Sequence, residues 1–260
     1  MYKNTKLLQK DCKKGAIYEF IRQILASKGE FQYLFNTYDT QKTFLPDSNT
    51  PLFWDERFAS KNSLFPMEQW RLKLVSKLIN PKKSILHLGC GSGSLEEILV
   101  NSYGENLNLI STDITDETLN KLKNKYQKVQ FYKTKLDSLP FASNKFDQVV
   151  MLEVLEHIRP NKTFPILREI YRVLRNDGIL ILSIPINEGL EKMLPNNPNS
   201  HMRIYSMEVI KFELNHVGFK IKKIYTASAF SRFFFVKHFI NGYFHLRKPN
   251  NLVILATKIK

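Results

Sequence analysis

The chain has 260 residues, 43% hydrophobic and 24% charged. That is enough apolar material for one sizeable core and too much for a disordered chain. No apolar run approaches the roughly 18 residues of a membrane span, and two cysteines, Cys12 and Cys90, give no disulfide framework, which suits a reduced, cytoplasmic protein. The formal charge of +15 suits an acidic substrate, an anionic surface or nucleic acid, but the lysines are scattered and arginine is the minority cation. Scattered charge of this kind reads first as solvated surface.

Met1 to Lys14 is Lys-rich and lacks the apolar core of a secretion signal. The spacing of Ile17, Phe20, Ile21, Ile24 and Leu25 predicts a helix over about Lys14–Ser27, stopped by Gly29. An aromatic stretch with few strand signals follows, from Phe31 to Phe65, punctuated by Pro46, Pro51 and Pro66. Residues 1–66 therefore read as a helical or irregular extension, a lid or a wall of an acceptor pocket, ahead of a domain over 67–260. A helix after Pro66 carries Trp70, Leu74, Val75 and Leu78.

From Lys83 onward strands and helices alternate. Ser84–Leu88 reads as a strand, and Ser94 with Glu97 as the capping box of the next helix. Leu107–Thr112 is a strand, Thr115 caps a helix carrying Leu119, Leu122 and Tyr126, and Val129–Lys133 and Phe146–Leu152 are strands. A helix over about Thr163–Arg175, stopped by Gly178, precedes the apolar strand Gly178–Ile184. Ser206 caps a helix to Val217, which Gly218 ends. Phe219–Tyr225 and Leu252–Ile259 are the last strands. Strict alternation implies an α/β, doubly wound fold with a mostly parallel sheet.

The chemistry concentrates at the strand ends. Ile85-Leu86-His87-Leu88-Gly89-Cys90-Gly91-Ser92-Gly93 is a buried strand running into a glycine turn and then a helix, a context in which a ligand lies close against backbone. Asp113 ends the second strand at the spacing of a residue that accepts from ribose hydroxyls. These two features alone do not separate an adenosyl ligand from a nicotinamide dinucleotide.

Two further segments do. Lys135-Leu136-Asp137-Ser138-Leu139-Pro140-Phe141 follows the third strand, and Phe146 to Ile158, with Leu152-Glu153-Val154-Leu155-Glu156-His157, forms the fourth strand and its loop. With these four motifs in order the chain resembles the class I S-adenosylmethionine-dependent methyltransferases, in particular the ubiquinone-biosynthesis-type O-methyltransferases, over about Leu72–Ile259. The resemblance implies seven strands ending in an antiparallel hairpin, and S-adenosylmethionine as cofactor. It implies that Gly89, Cys90, Gly91 and Gly93 pass under the methionine and ribose, and that Asp113, with Ile114 beside it, holds the ribose. It places Asp137 on the adenine amino group with Leu136 against the ring, and Leu152 and Glu153 beside the sulfonium. His87 stands where the family usually carries an acidic residue at the cofactor's amino group, so it can hydrogen-bond there without supplying negative charge.

Methyl transfer needs a base only where the acceptor must lose a proton. His157, and His201 in His201-Met202-Arg203-Ile204-Tyr205-Ser206, are the candidates, with Arg203 able to orient an anionic acceptor and Glu153 facing the acceptor. The aromatic insertion over 226–250, with Phe230, Phe233, Phe234, Phe235, Phe239, Tyr243 and Phe244, reads as core, a dimer contact or an apolar lid. The expected acceptor is a small molecule or lipid-like compound methylated at oxygen, with a peripheral membrane contact left open. Nucleic acid is not expected, because Leu152-Glu153-Val154-Leu155 lacks the proline-aromatic signature of base-amine methylases. The alternatives are a nicotinamide oxidoreductase, a nucleic-acid methyltransferase acting at other atoms, and a non-catalytic binding module. No metal-ligand cluster is legible in the sequence.

Overall fold

The computed structural model describes residues 49–60, 63–104, 107–188, 199–228, 234–244 and 248–259. The helix expected over Lys14–Ser27 and the aromatic run from Phe31 to Phe44 lie outside the described residues, as do Phe230 and Phe233. The strands are β1 (Ile85–Leu88), β2 (Leu109–Asp113), β3 (Gln130–Lys133), β4 (Phe146–Leu152), β5 (Leu174–Pro185), β6 (Phe219–Ala227) and β7 (Asn251–Lys258). They form one sheet in the order β3-β2-β1-β4-β5-β7-β6. β1 to β5 pair in parallel, and β7 runs antiparallel to both β5 and β6. This is the doubly wound sheet with a C-terminal antiparallel hairpin that the alternation and the resemblance imply.

The described helices are α1 (Pro51–Ala59), α2 (Pro66–Leu78), α3 (Ser94–Tyr103), α4 (Glu117–Lys125), α5 (Pro160–Val173), α6 (Met207–Val217) and α7 (Phe234–Phe244). Strand alternation sorts them into two layers. Ile85, Leu109, Val150 and Ile181 face α2, α3 and α4 through Leu72, Val75, Leu95, Leu99, Leu119 and Leu122. Leu86, Leu88, Ile110, Val149, Met151 and Leu182 face α5 and α6 through Phe164, Leu167, Ile170, Val209, Ile210 and Leu214.

Several helix ends differ from their sequence signals. Ser94 is the first residue of α3, not its cap: Gly93 takes that position at φ 76°, with no side-chain cap. Thr115 does not cap α4, which starts at Glu117. Its N-terminus is capped from another element instead, by Asp55 of α1, which accepts from the Thr118 N–H at 2.8 Å and the Thr118 hydroxyl at 2.5 Å. Tertiary packing has replaced the local cap. α5 ends at Val173 and β5 begins at once, so Gly178 lies inside a strand and is not a helix stop. Ser206 does cap α6, accepting from the Val209 N–H, and Gly218 closes it at φ 104°.

α7 sits in the insertion between the final two strands. It buries Phe234 but turns Phe235, Val236, Phe239 and Ile240 outward.

Arg203 is buried between α5 and α6. It donates to the Thr163 hydroxyl at 2.9 Å and the Tyr205 hydroxyl at 3.2 Å, and pairs with Glu213. It therefore cannot orient an acceptor as its place beside His201 suggested. A buried ion pair is destabilising to break because the remaining charge keeps its desolvation penalty. Glu213→Ala is expected to lower the unfolding free energy by about 3–5 kcal/mol, read from urea denaturation. A loss below about 1 kcal/mol, the range of exposed pairs, would show that Arg203 reaches water.

Candidate functional site

A cavity of about 1360 Å³ lies beyond the C-terminal ends of β1, β2, β4 and β5. This is the edge at which open α/β sheets bind ligands, where the chain leaves the sheet's midpoint in opposite directions. The segments after β1, β2 and β3 line one half, and those after β4 and β5 line the other.

The first half is built on the glycine turn. The Gly89 and Cys90 N–H groups both donate to the Thr112 carbonyl, at 2.8 and 3.0 Å. Gly89 has φ 72°, and a Cβ there would lie 2.5 Å from Val154 Cγ2. Gly93, also left-handed, would press a Cβ into Leu122. Both glycines are thus required by backbone conformation and by packing, independently of any ligand. Asp113 ties the turn to β2: its Oδ2 accepts from the Gly91 N–H at 2.9 Å, and its Oδ1 from the Ile114 and Thr115 N–H groups at 2.8 and 3.2 Å. Ile114, Leu136 and Asp137 also line the cavity, and Asp137 pairs with Lys162 at 2.9 Å. Burial first, then Glu96 and Asp113, push the Cys90 thiol well above its usual range, so it stays protonated and unreactive.

His87 is 2% exposed and faces α3. Its Nδ1 lies 2.6 Å from Glu96 Oε1, which also accepts from Ser111, the residue paired with His87 across β1 and β2. Burial alone would raise the Glu96 carboxyl, but the charge and hydrogen bond of His87, with the Ser111 bond, hold it below its ordinary value. The negative charge absent from position 87 is therefore supplied beneath it, by α3. No hydrogen bond reaches His87 Nε2, and His87 is among the residues that line the cavity.

In the second half, Glu153 sits at φ 52° and its carboxylate is saturated. It accepts from Ser183 at 2.9 Å and from Asn251 at 3.1 Å, and pairs with the buried Arg71 of α2 at 3.1 Å. That arrangement fixes the loop after β4 and occupies both oxygens of the Glu153 carboxylate.

His157 and His201, 44 residues apart in the chain, meet with ring centroids 4.9 Å apart. The Met202 N–H donates to the Glu156 carbonyl at 2.7 Å, and His157 Nδ1 lies 3.1 Å from the Ser200 carbonyl. His201 Nδ1 lies 2.7 Å from Glu188 Oε2. Burial first, then His201, pushes the His157 imidazole down to about 3. It stays neutral and is a weak proton acceptor. Glu156, 1% exposed, is pushed well above the carboxylate range by burial first and then by Glu153 and Glu188, against Arg71.

α1 closes over this half. Trp54 stacks with Phe58 at 5.6 Å and meets the His157 ring edge-on at 4.7 Å. Arg57 donates to Asn199 at 3.1 Å and Asn49 to the Ser200 carbonyl at 3.1 Å. The described end of the N-terminal extension therefore lines the cavity. The described aromatics of the 226–250 insertion do not, against the expectation that they shape the pocket. Nothing in the sequence marks Glu96, Arg71 or Glu188 as part of the site, because each comes from a helix or loop placed there by packing.

Residues 86–182 match the model of a methyltransferase domain family. A ubiquinone/menaquinone biosynthesis C-methyltransferase of Rickettsia prowazekii is 29% identical over 135 residues, covering 47% of this chain and 53% of that protein. A carboxy-S-adenosyl-L-methionine synthase of Campylobacter lari is 31% identical over 151 residues, covering 55% and 62%. The chain spans about half the length of the curated relatives it matches. A methyltransferase structure from Methanosarcina mazei superimposes with a TM-score of 0.56 at 18% identity, over 76% of this chain and 99% of that one, a likeness of fold.

Asp55 joins α1 to the rest of the site. Its carboxyl, raised by burial but lowered more by the Thr118 and Glu117 hydrogen bonds, lies below its ordinary value. Asp55→Ala is expected to cost about 0.5–2 kcal/mol, the range of a lost helix cap. A group with a depressed folded-state pKa stabilises above its unfolded pKa, about 3.9 for Asp, and loses that contribution as pH falls through the folded value. The gap in Tm between wild type and Asp55→Ala should therefore be full at pH 6 and shrink below about pH 4. A gap that stays constant down to pH 2.5 would show that the charge of Asp55 is not what caps α4.

Proposed function

We propose that the chain is a class I S-adenosylmethionine-dependent methyltransferase, as its methyltransferase-domain match and relatives support, and that it methylates an oxygen of a small-molecule or lipid-like acceptor. S-Adenosylmethionine, when bound, supplies a methyl group already activated on a sulfonium. The protein has then to align the acceptor and exclude competing water.

The residues of the first half fit this cofactor. Asp113 uses three of its roughly four lone-pair sites on backbone N–H groups, leaving acceptor capacity for a ribose hydroxyl. His87, bonded to Glu96 through Nδ1, leaves Nε2 as a buried polar atom for the methionine end. Leu136 and Asp137 stand where an adenine ring and its amino group would lie.

The observation that carries the acceptor assignment is the division of the cavity. Glu156, His157 and His201, from the segments after β4 and β5, gather polar atoms within 4.8 Å of one another, beside the Trp54 ring. A hydroxyl acceptor lying there has groups able to bind its oxygen and influence its proton. His157 itself is too weak a base to remove that proton. The expectation that a histidine acts as simple base therefore passes to the cluster as a whole. A second reading, methylation at carbon, is favoured by the C-methyltransferase among the relatives. In the second reading the cluster would bind a neighbouring oxygen of the acceptor and leave a ring carbon as the nucleophile.

Calorimetry is expected to show binding of S-adenosylmethionine or its demethylated product. Asp113→Ala should weaken it by about 1–3 kcal/mol, the cost of leaving donors without a charged acceptor. Absence of binding at millimolar ligand by folded protein would refute the cofactor assignment. Label transfer from radiolabelled cofactor into lipid and small-molecule extracts, followed by NMR of the product, separates a methyl ether from a C-methyl group.

A further inference from the structure

We propose that His87, backed by Glu96, binds the carboxylate of the cofactor's methionine end. This deepens the S-adenosylmethionine assignment and rests on it. It reverses the polarity that the resemblance implies, in which an acidic residue at position 87 meets the amino group.

His87 and Glu96 are 2% and 0% exposed. Each has one polar atom bonded and one bare. His87 Nδ1 lies 2.6 Å from Glu96 Oε1, whereas no hydrogen bond reaches His87 Nε2 or Glu96 Oε2. Oε1 also accepts from the Ser111 hydroxyl at 2.6 Å. Burial would raise the Glu96 carboxyl, but the charge of His87 and the bonds from His87 and Ser111 hold it below its ordinary value. An ionised carboxylate has no proton to give, so Nδ1 donates in this contact.

A buried carboxylate is tolerated beside a cation and costly without one. Among the described residues, the side chains bonded to Glu96 are His87 and Ser111, and of the two only an imidazole can carry positive charge. His87 therefore holds both ring protons, and its Nε2–H is a buried donor with no acceptor. Such a group is costly until an acceptor meets it.

His87 lines the cavity together with Gly89, Cys90, Gly91 and Ser94, the turn assigned to the methionine end. That end offers an ammonium, which has no lone pair, and a carboxylate, which accepts. Only the carboxylate satisfies Nε2–H. α3 favours the same group, because it starts at Ser94 without a side-chain cap and a helix N-terminus is partially positive. Glu96 does not touch the cofactor. It is a positioning residue: it fixes the plane of the imidazole and keeps the proton on it, while Ser111 fixes Glu96 from β2.

The test is calorimetry on the full chain with three ligands. These are S-adenosylmethionine, its decarboxylated analogue, which keeps the ammonium and the sulfonium, and 5′-methylthioadenosine, which lacks the whole amino-acid end. Wild type should bind S-adenosylmethionine roughly 10- to 150-fold more tightly than the decarboxylated analogue, the worth of a hydrogen bond to a charged group. His87→Gln and Glu96→Gln should each erase most of that ratio and leave affinity for the other two ligands unchanged. Unchanged binding of 5′-methylthioadenosine also shows that the variants fold. A wild-type ratio near unity overturns the proposal without any variant. So does a uniform loss across the three ligands, which would mark the pair as packing. A loss shared by both ammonium-bearing ligands alone overturns it too, in favour of the polarity of the resemblance. Folded wild type that binds none of the three would instead defeat the cofactor assignment itself.

Discussion

β1 is four residues long and buried along its whole length between parallel neighbours. Its pairing with β2 on one side and β4 on the other is the constraint on which the rest of the site depends. Parallel pairing forces all three strands to end at one edge, and the crossovers then leave that edge in opposite directions. The glycine turn, Asp113 and Leu152 are neighbours for that reason alone. The register brings Thr112 level with Leu88, so its carbonyl receives two N–H groups of the turn. Asp113 stands one residue further on, within reach of Gly91.

Three sets of charged groups are placed inside this framework with partners. His87, Glu96 and Ser111 meet between β1, β2 and α3. Arg71 reaches from α2 to Glu153, and Arg203 spans α5 and α6 to Glu213. All but the half-buried Glu153 are buried, and each group links two elements. Such pairs add less to stability than equivalent apolar contacts would. Their effect here is positional: Arg71 holds the left-handed Glu153, and so the start of the loop that carries Glu156 and His157.

The two halves of the cavity differ in how they are held. The half after β1, β2 and β3 is made of backbone conformation and short-range bonds at strand ends. The other half is assembled from the loop after β4, the segment around Ser200 and His201, and α1. It is stitched by Met202 to Glu156, His157 to Ser200 and Asn49 to Ser200. Different acceptors can be served by changing those segments without disturbing the first half, in line with the general separation of fold from function.

The sequence by itself determined the sheet, its hairpin, the glycine turn, and the order of Gly89, Asp113, Asp137 and Glu153. These depend on short apolar strands alternating with helices, on backbone conformations that only glycine adopts easily, and on residues fixed at strand ends by local spacing. It also determined the α6 caps, which are local bonds. The tertiary structure alone decided that Asp55 caps α4, that Glu96 supplies the charge missing at His87, and that Arg203 is buried instead of facing the acceptor. It alone brought His157, His201 and Glu156 together. The physical reason is reach: a cap or a turn is settled by atoms a few residues apart, whereas a buried charge takes whichever partner packing delivers, and that partner carries no mark in the chain.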